Sequence, residues 1–112
     1  MNNKKVKIFL SFPMKGKNYD EIIQEREKAV ERLSYLWKNT DIEILNTIFE
    51  DISAHKPLWY LGKSIQALSE ADVAVFCGNW EDARGCRIEY ICANNYKIPA
   101  LLLDEKDRKN LW

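Results

Sequence analysis

Short apolar runs alternate with longer stretches of helical period along this chain. "VKIFLSF" (6–12) is rich in strand formers and stops at Pro13. A polar loop containing "KG" and "KN" follows. Asn18, with Glu21 three residues later, resembles a capping box, and Asp20 adds negative charge to the first turn. Ile22, Ile23, Ala29, Val30, Leu33, Leu36 and Trp37 then recur at helical spacing and predict a helix over roughly 19–38. "DIEILN" (41–46) alternates as a strand does, and "TIFEDISAHK" is an irregular connector. Pro57 suits the first position of a second helix, with Leu58, Leu61, Ile65 and Leu68 on one face and Gly62 weakening it a little. "DVAVFC" (72–77) is a continuous apolar run, the pattern of a fully buried parallel strand. A third helix is predicted from near Gly85 to about Asn95, burying Ile88, Ile91 and Cys92. "IPALLL" (98–103) is the last strand, before a polar tail that ends at Trp112.

The order β-α-β-α-β-α-β predicts an α/β fold: a flavodoxin/Rossmann-like three-layer sandwich with a parallel sheet of four to five strands. No repeat, low-complexity segment or linker interrupts it, so residues 1–112 read as one domain. Open sheets of this kind bind ligands at the carboxyl ends of their strands. Three segments are expected there: "SFPMKGKN", the connector over 46–57, and "GNWEDARGC".

Composition narrows the classes. The 112 residues are 46% apolar and 30% charged, with 17 Lys plus Arg against 17 Asp plus Glu. A net charge near zero offers no global case for nucleic acid or a membrane surface. No apolar run has the length of a transmembrane helix, and the apolar part of "MNNKKVKIFLSF" is too short for a signal peptide. Three cysteines without CxxC spacing argue against a disulfide framework or a cysteine-rich zinc site. They point to a reduced, cytoplasmic setting. A single histidine, His55, excludes a multi-histidine metal centre, so no metal is expected.

The densest chemistry lies in "WEDARGCRIEY" (80–90). Glu89 falls about one turn into the third helix, after a turn at Gly85, where the backbone partial charge favours an ionised carboxylate suited to a nucleophile. Its plainer use is to stabilise a helix start. In the first loop, Ser11, Lys15, Gly16, Lys17 and the Asn18 helix start offer a hydroxyl, ammonium groups and backbone N–H donors to an anion, or form only a solvated turn. Asp72 suits a hydrogen bond to nearby backbone. Arg84 and Arg87 flank Glu89, either to pair with it, to meet a ligand phosphate, or to stand solvated on the helix face. Trp59, Tyr60 and Trp80 are able to stack a nucleobase, although aromatics beside a core usually belong to it. Cys86 at a helix start would be somewhat acidified.

Together these segments resemble a family. "KIFLSFPMKG" is similar to the "KIYxSGPxxG" opening of the nucleoside 2-deoxyribosyltransferase superfamily. "EADVAVFCGNWEDARGCRIEYICANNYKIP" resembles its second signature: an aspartate at a strand start, a glycine four residues before a glutamate, a small-residue helix and a "GKP"-like turn. The words "PLWYLGKS", "ADV" and "RGCRIE" resemble a small phage- and Firmicutes-associated branch of unknown function. The resemblance runs from Lys7 to Pro99.

It implies cleavage of the N-glycosidic bond of a (deoxy)nucleoside 5′-monophosphate or nucleoside, by hydrolysis or by transfer to another base, with no cofactor; the short chain, with less room to enclose two bases, favours hydrolysis. Glu89 takes the nucleophile position, and Lys15 stands where the nucleotide-hydrolysing branch has a phosphate-loop arginine. Phe9, Ser11, Gly16, Lys63, Ser64, Trp80, Gly85 and Arg87 complete the implied substrate site. Three departures matter. Phe9 replaces a tyrosine, Phe12 replaces a glycine, and Ser64 replaces an aspartate that handles the leaving base; a serine is a poor general acid. Lys63, Asp82 and Glu81 are candidates to replace it, and Asp82 is taken as the second catalytic residue. These departures favour the alternative, a non-catalytic nucleotide-binding module. The family also implies a homodimer or higher homo-oligomer, for which Trp37, Trp59, Tyr60, Trp80, Tyr90, Tyr96 and Trp112 offer aromatic surface.

Overall fold

The computed structural model describes residues 5–48 and 54–103. The middle of the 47–56 connector, the charged tail and Trp112 lie outside the described residues. Strand β1 (Val6–Ser11) leads to helix α1 (Tyr19–Leu36), strand β2 (Ile42–Ile44), helix α2 (Pro57–Leu68) and strand β3 (Val73–Cys77). A single 3-10 turn (Trp80–Asp82), helix α3 (Arg84–Asn95) and strand β4 (Ala100–Leu103) complete the order. The four strands pair in parallel in the order β2-β1-β3-β4. The α/β prediction holds, with four strands.

Side-chain alternation along β1 divides the core in two. Ile8, Leu10 and Phe12 pack with Ile22, Ala29 and Leu33 of α1 on one face of the sheet. Phe9 packs with Ala74, Phe76, Leu68 of α2 and Ala93 of α3 on the other. Three layers result, and β1 and β3 lie at the centre. Asp72 ties their amino ends together. Its backbone N–H donates to the Lys7 carbonyl, and its carboxylate Oδ2 accepts from the Lys7 N–H, each at 2.8 Å.

The opposite, carboxyl ends are shaped by local signals. The Lys17 N–H donates to the Met14 carbonyl at 3.1 Å, and Gly16 has φ +82°, as the third residue of a type II turn requires. Asn18 then caps α1: its Oδ1 accepts from the Glu21 N–H at 2.8 Å, and Glu21 Oε1 accepts from the Asn18 N–H at 2.9 Å. The capping box is complete.

Helix α3 departs from its predicted face. Its inward stripe is Cys86, Glu89 and Ala93, whereas Ile91 is 56% exposed, Ile88 half-buried, and Cys92 packs only at the edge of the cluster. The three buried positions are three and four residues apart and so share one side of the helix. That side includes a carboxylate, and the apolar residues flank it. Gly85 is likewise no turn glycine. It lies inside the first turn of α3, where an added Cβ would meet Leu61 Cδ1 of α2 at 4.0 Å. The glycine with positive φ after β3 is Gly78, at +63°.

No helix among the described residues is long and apolar enough to cross a membrane, and no group of three or more His, Cys, Asp or Glu there is arranged to hold a metal ion.

Candidate active site

β1 and β3 are neighbours in space, but the chain leaves β1 toward β2 and leaves β3 toward β4. Their carboxyl ends therefore flank the topological switch point, where open α/β sheets bind ligands. Ser11 closes β1 on the α2/α3 side of the sheet, because it shares the face of Phe9. α3 begins just past β3 and turns Glu89 onto it. The Ser11 Oγ–H donates to Glu89 Oε1 at 2.6 Å, with Ser11 3% and Glu89 8% exposed.

Burial sets the electrostatics of this pair. Desolvation pushes the Glu89 carboxyl up to about 7, against the hydrogen bond from Ser11, which favours the ionised form. The expectation that the helix start favours an ionised Glu89 is thus corrected: burial outweighs it. α3 starts at Arg84, so Glu89 lies in the second turn, and the helix dipole acts mainly within the first. The acidified Cys86 is corrected in the same way. Burial pushes its thiol up to about 11, hydrogen bonding with Ser11 pulls it down, Glu89 raises it further, and Arg87 and Lys17 lower it. None of Cys77, Cys86 and Cys92 is in a disulfide.

Across the same strand ends, on the α1 side, opens a cleft of about 110 Å³. Phe12, Pro13 and Lys17 line it from the first loop, Glu25 from α1, and Cys77, Gly78 and Asn79 from the end of β3. Lys17 Nζ stands 3.7 Å from Glu25 Oε1. Adjacent residues at the end of β1 thus serve two sides: Ser11, its last residue, faces Glu89, and Phe12, just past it, faces the cleft.

The other predicted residues scatter around this centre. Phe9 is 1% exposed, a core side chain held there by strand alternation. Lys15 stands exposed at the tip of the first turn, and the lysine that lines the cleft is Lys17. Arg87 does not pair with Glu89; its Nη1 donates to the Glu81 carbonyl at 2.9 Å and so ties α3 to the 3-10 turn carrying Asp82. Asp82, Glu81 and Arg84 are exposed. Trp80 packs on Phe76 and Tyr90, with ring centroids 5.4 and 4.6 Å away. Ser64 is half-buried on α2, and Lys63 Nζ lies 5.4 Å above the Trp59 ring, which also stacks on His55 at 3.7 Å.

Sequence reasoning missed Glu25, Cys77 and Asn79 as cleft residues. For Glu25 a signal exists: Asn18, Glu21 and Glu25 follow one another at helical spacing on α1, on the side of the loop. Asn79 was reached only as part of "GNWEDARGC" at the expected ligand edge, and Cys77 carried no signal, since its place depends on β3 lying beside β1. No family model, no curated protein and no solved structure matches this chain.

Proposed function

We propose that the protein is an N-glycosidase that cleaves the base–sugar bond of a (deoxy)nucleoside 5′-monophosphate or nucleoside, with Glu89 as nucleophile. The buried Ser11–Glu89 pair at the switch point carries the proposal. The motifs that resemble the deoxyribosyltransferase superfamily agree with it, since they put Glu89 in the nucleophile position.

In this reading a Glu89 carboxylate oxygen bonds to C1′ as the C1′–N bond breaks. The electron pair goes to the base nitrogen, which takes a proton from Asp82 or from solvent. Water then attacks C1′, gives up a proton and releases the sugar, and the carboxylate is restored. Lys17 is the cation nearest at hand for a 5′-phosphate, which would compete with Glu25 for it. The protein would act in the cytoplasm as a homodimer. The exposed apolar surface is smaller than the sequence predicts, because Trp37, Tyr60, Trp80 and Tyr90 are all partly buried. Among the described residues, Tyr96 at 81% and Leu58 at 75% are the most exposed of the large apolar side chains.

A second reading is a nucleotide-binding module without catalysis. It is favoured by one observation: Glu89 is not among the residues that line the cleft. Incubation with a panel of nucleosides and nucleotides, followed by chromatography for free base, separates the two. Base release that is lost in Glu89→Ala supports the enzyme. Tight binding with no release from the wild type supports the module.

A further inference from the structure

We propose that Ser11 is the positioning residue of Glu89, holding Oε1 so that Oε2 is the oxygen that meets the sugar. The inference rests on the glycosidase reading and deepens it, because it takes Ser11 away from the ligand and gives it to the nucleophile.

Three observations converge on this. First, β1 alternation turns Ser11 away from the cleft-lining Phe12 and toward α3. Second, a serine hydroxyl has one proton to donate, and here it goes to Glu89 Oε1 at 2.6 Å, in the short range of hydrogen bonds to ionised oxygen. With both residues nearly sealed from solvent, water does not compete for that proton. Third, Cys86 stands one turn before Glu89 on the same inward stripe of α3 and interacts with the same hydroxyl. Burial keeps it a neutral thiol at neutral pH, which leaves the Glu89 carboxylate as the stronger acceptor for the one hydroxyl proton. Arg87 is directed elsewhere: its Nη1 donates to the Glu81 carbonyl.

The test follows the Glu89 side-chain carboxyl by carbon-detected NMR in the full chain, as a function of pH. In Ser11→Ala the midpoint should rise by about one to two pH units, the loss expected for one charge-assisted hydrogen bond. In the base-release assay kcat at pH 7 should fall while KM stays near the wild-type value. Ser11→Thr, which keeps the hydroxyl, should restore both. A folded Ser11→Ala whose Glu89 midpoint does not move overturns the proposal. A second measurement needs no variant: in the wild type the Ser11 hydroxyl proton should give a downfield, slowly exchanging line that moves with the Glu89 titration. A line that ignores that titration also overturns it. Because both readouts work without turnover, the two proposals fail separately. A shifted midpoint with no base release sinks the glycosidase and keeps the positioning role. Base release with a fixed midpoint and unchanged kcat does the reverse.

Discussion

Glu89 is a carboxyl that the fold holds near neutrality, and this has a direct kinetic consequence. With its titration raised to about 7, roughly half of the molecules carry the carboxylate at neutral pH. If that carboxylate is the nucleophile, kcat should rise with pH through about 7 and level off above it. A pH–rate profile flat from 5 to 9 would remove Glu89 from the chemistry. Glu89→Gln keeps the shape and can still accept from Ser11, but it has no charge to lose, so it should bind ligand and release no base. Lys17 belongs to the same scale. If it meets a phosphate, Lys17→Ala should weaken nucleotide binding by about 1.5–3 kcal/mol and leave the corresponding nucleoside almost unaffected. Calorimetric titration with each ligand reads the difference.

At the scale of elements, the first loop and α1 act as one device. The turn at Gly16 delivers the chain to Asn18, whose capping box starts the helix that carries Glu25 to the cleft. Asn18→Ala should cost about 1 kcal/mol of stability, the usual loss for an N-cap. Gly16→Ala should cost a similar amount, about 1 kcal/mol. Its φ of +82° strains any side chain, although the space around it is open. Chemical denaturation reads both, and equal midpoints for variant and wild type would show that neither local device matters. α3 shows why apolar pattern alone misplaces a helix face. Its stripe of Cys86, Glu89 and Ala93 contains one acid, and the burial of that acid is what marks the site.

For the whole molecule, the same buried carboxyl links protonation to folding. Glu89 titrates near 4.5 when unfolded and near 7 when folded, so between those values the folded state holds more protons. Stability is fully present below about pH 4.5 and falls as pH rises to about 7, by a contribution on the order of 3 kcal/mol. Denaturation midpoints across pH 4–8 should show this slope from Glu89 in the wild type and lose it in Glu89→Gln. Assembly is tested at the same scale. A homodimer gives twice the chain mass by light scattering at micromolar concentration, and a monomeric mass would sink that expectation.

What the residues alone determined was the local grammar. The strand runs, the helical periods, the Asn18–Glu21 cap and the tie from Asp72 to backbone were all legible, because each depends on neighbours within a turn or on the chemistry of one side chain. The parallel order followed too, since β-α-β alternation permits little else. Tertiary structure alone decided which side of β1 each residue serves, and so gave Ser11 to Glu89, Phe12 to the cleft and Phe9 to the core. It also decided that Glu89 and Cys86 titrate upward, because desolvation depends on the elements packed over a group and not on its place in a helix. Ser11 and Glu89 are 78 residues apart along the chain. Only the packing of α3 against the end of β1 makes them a pair.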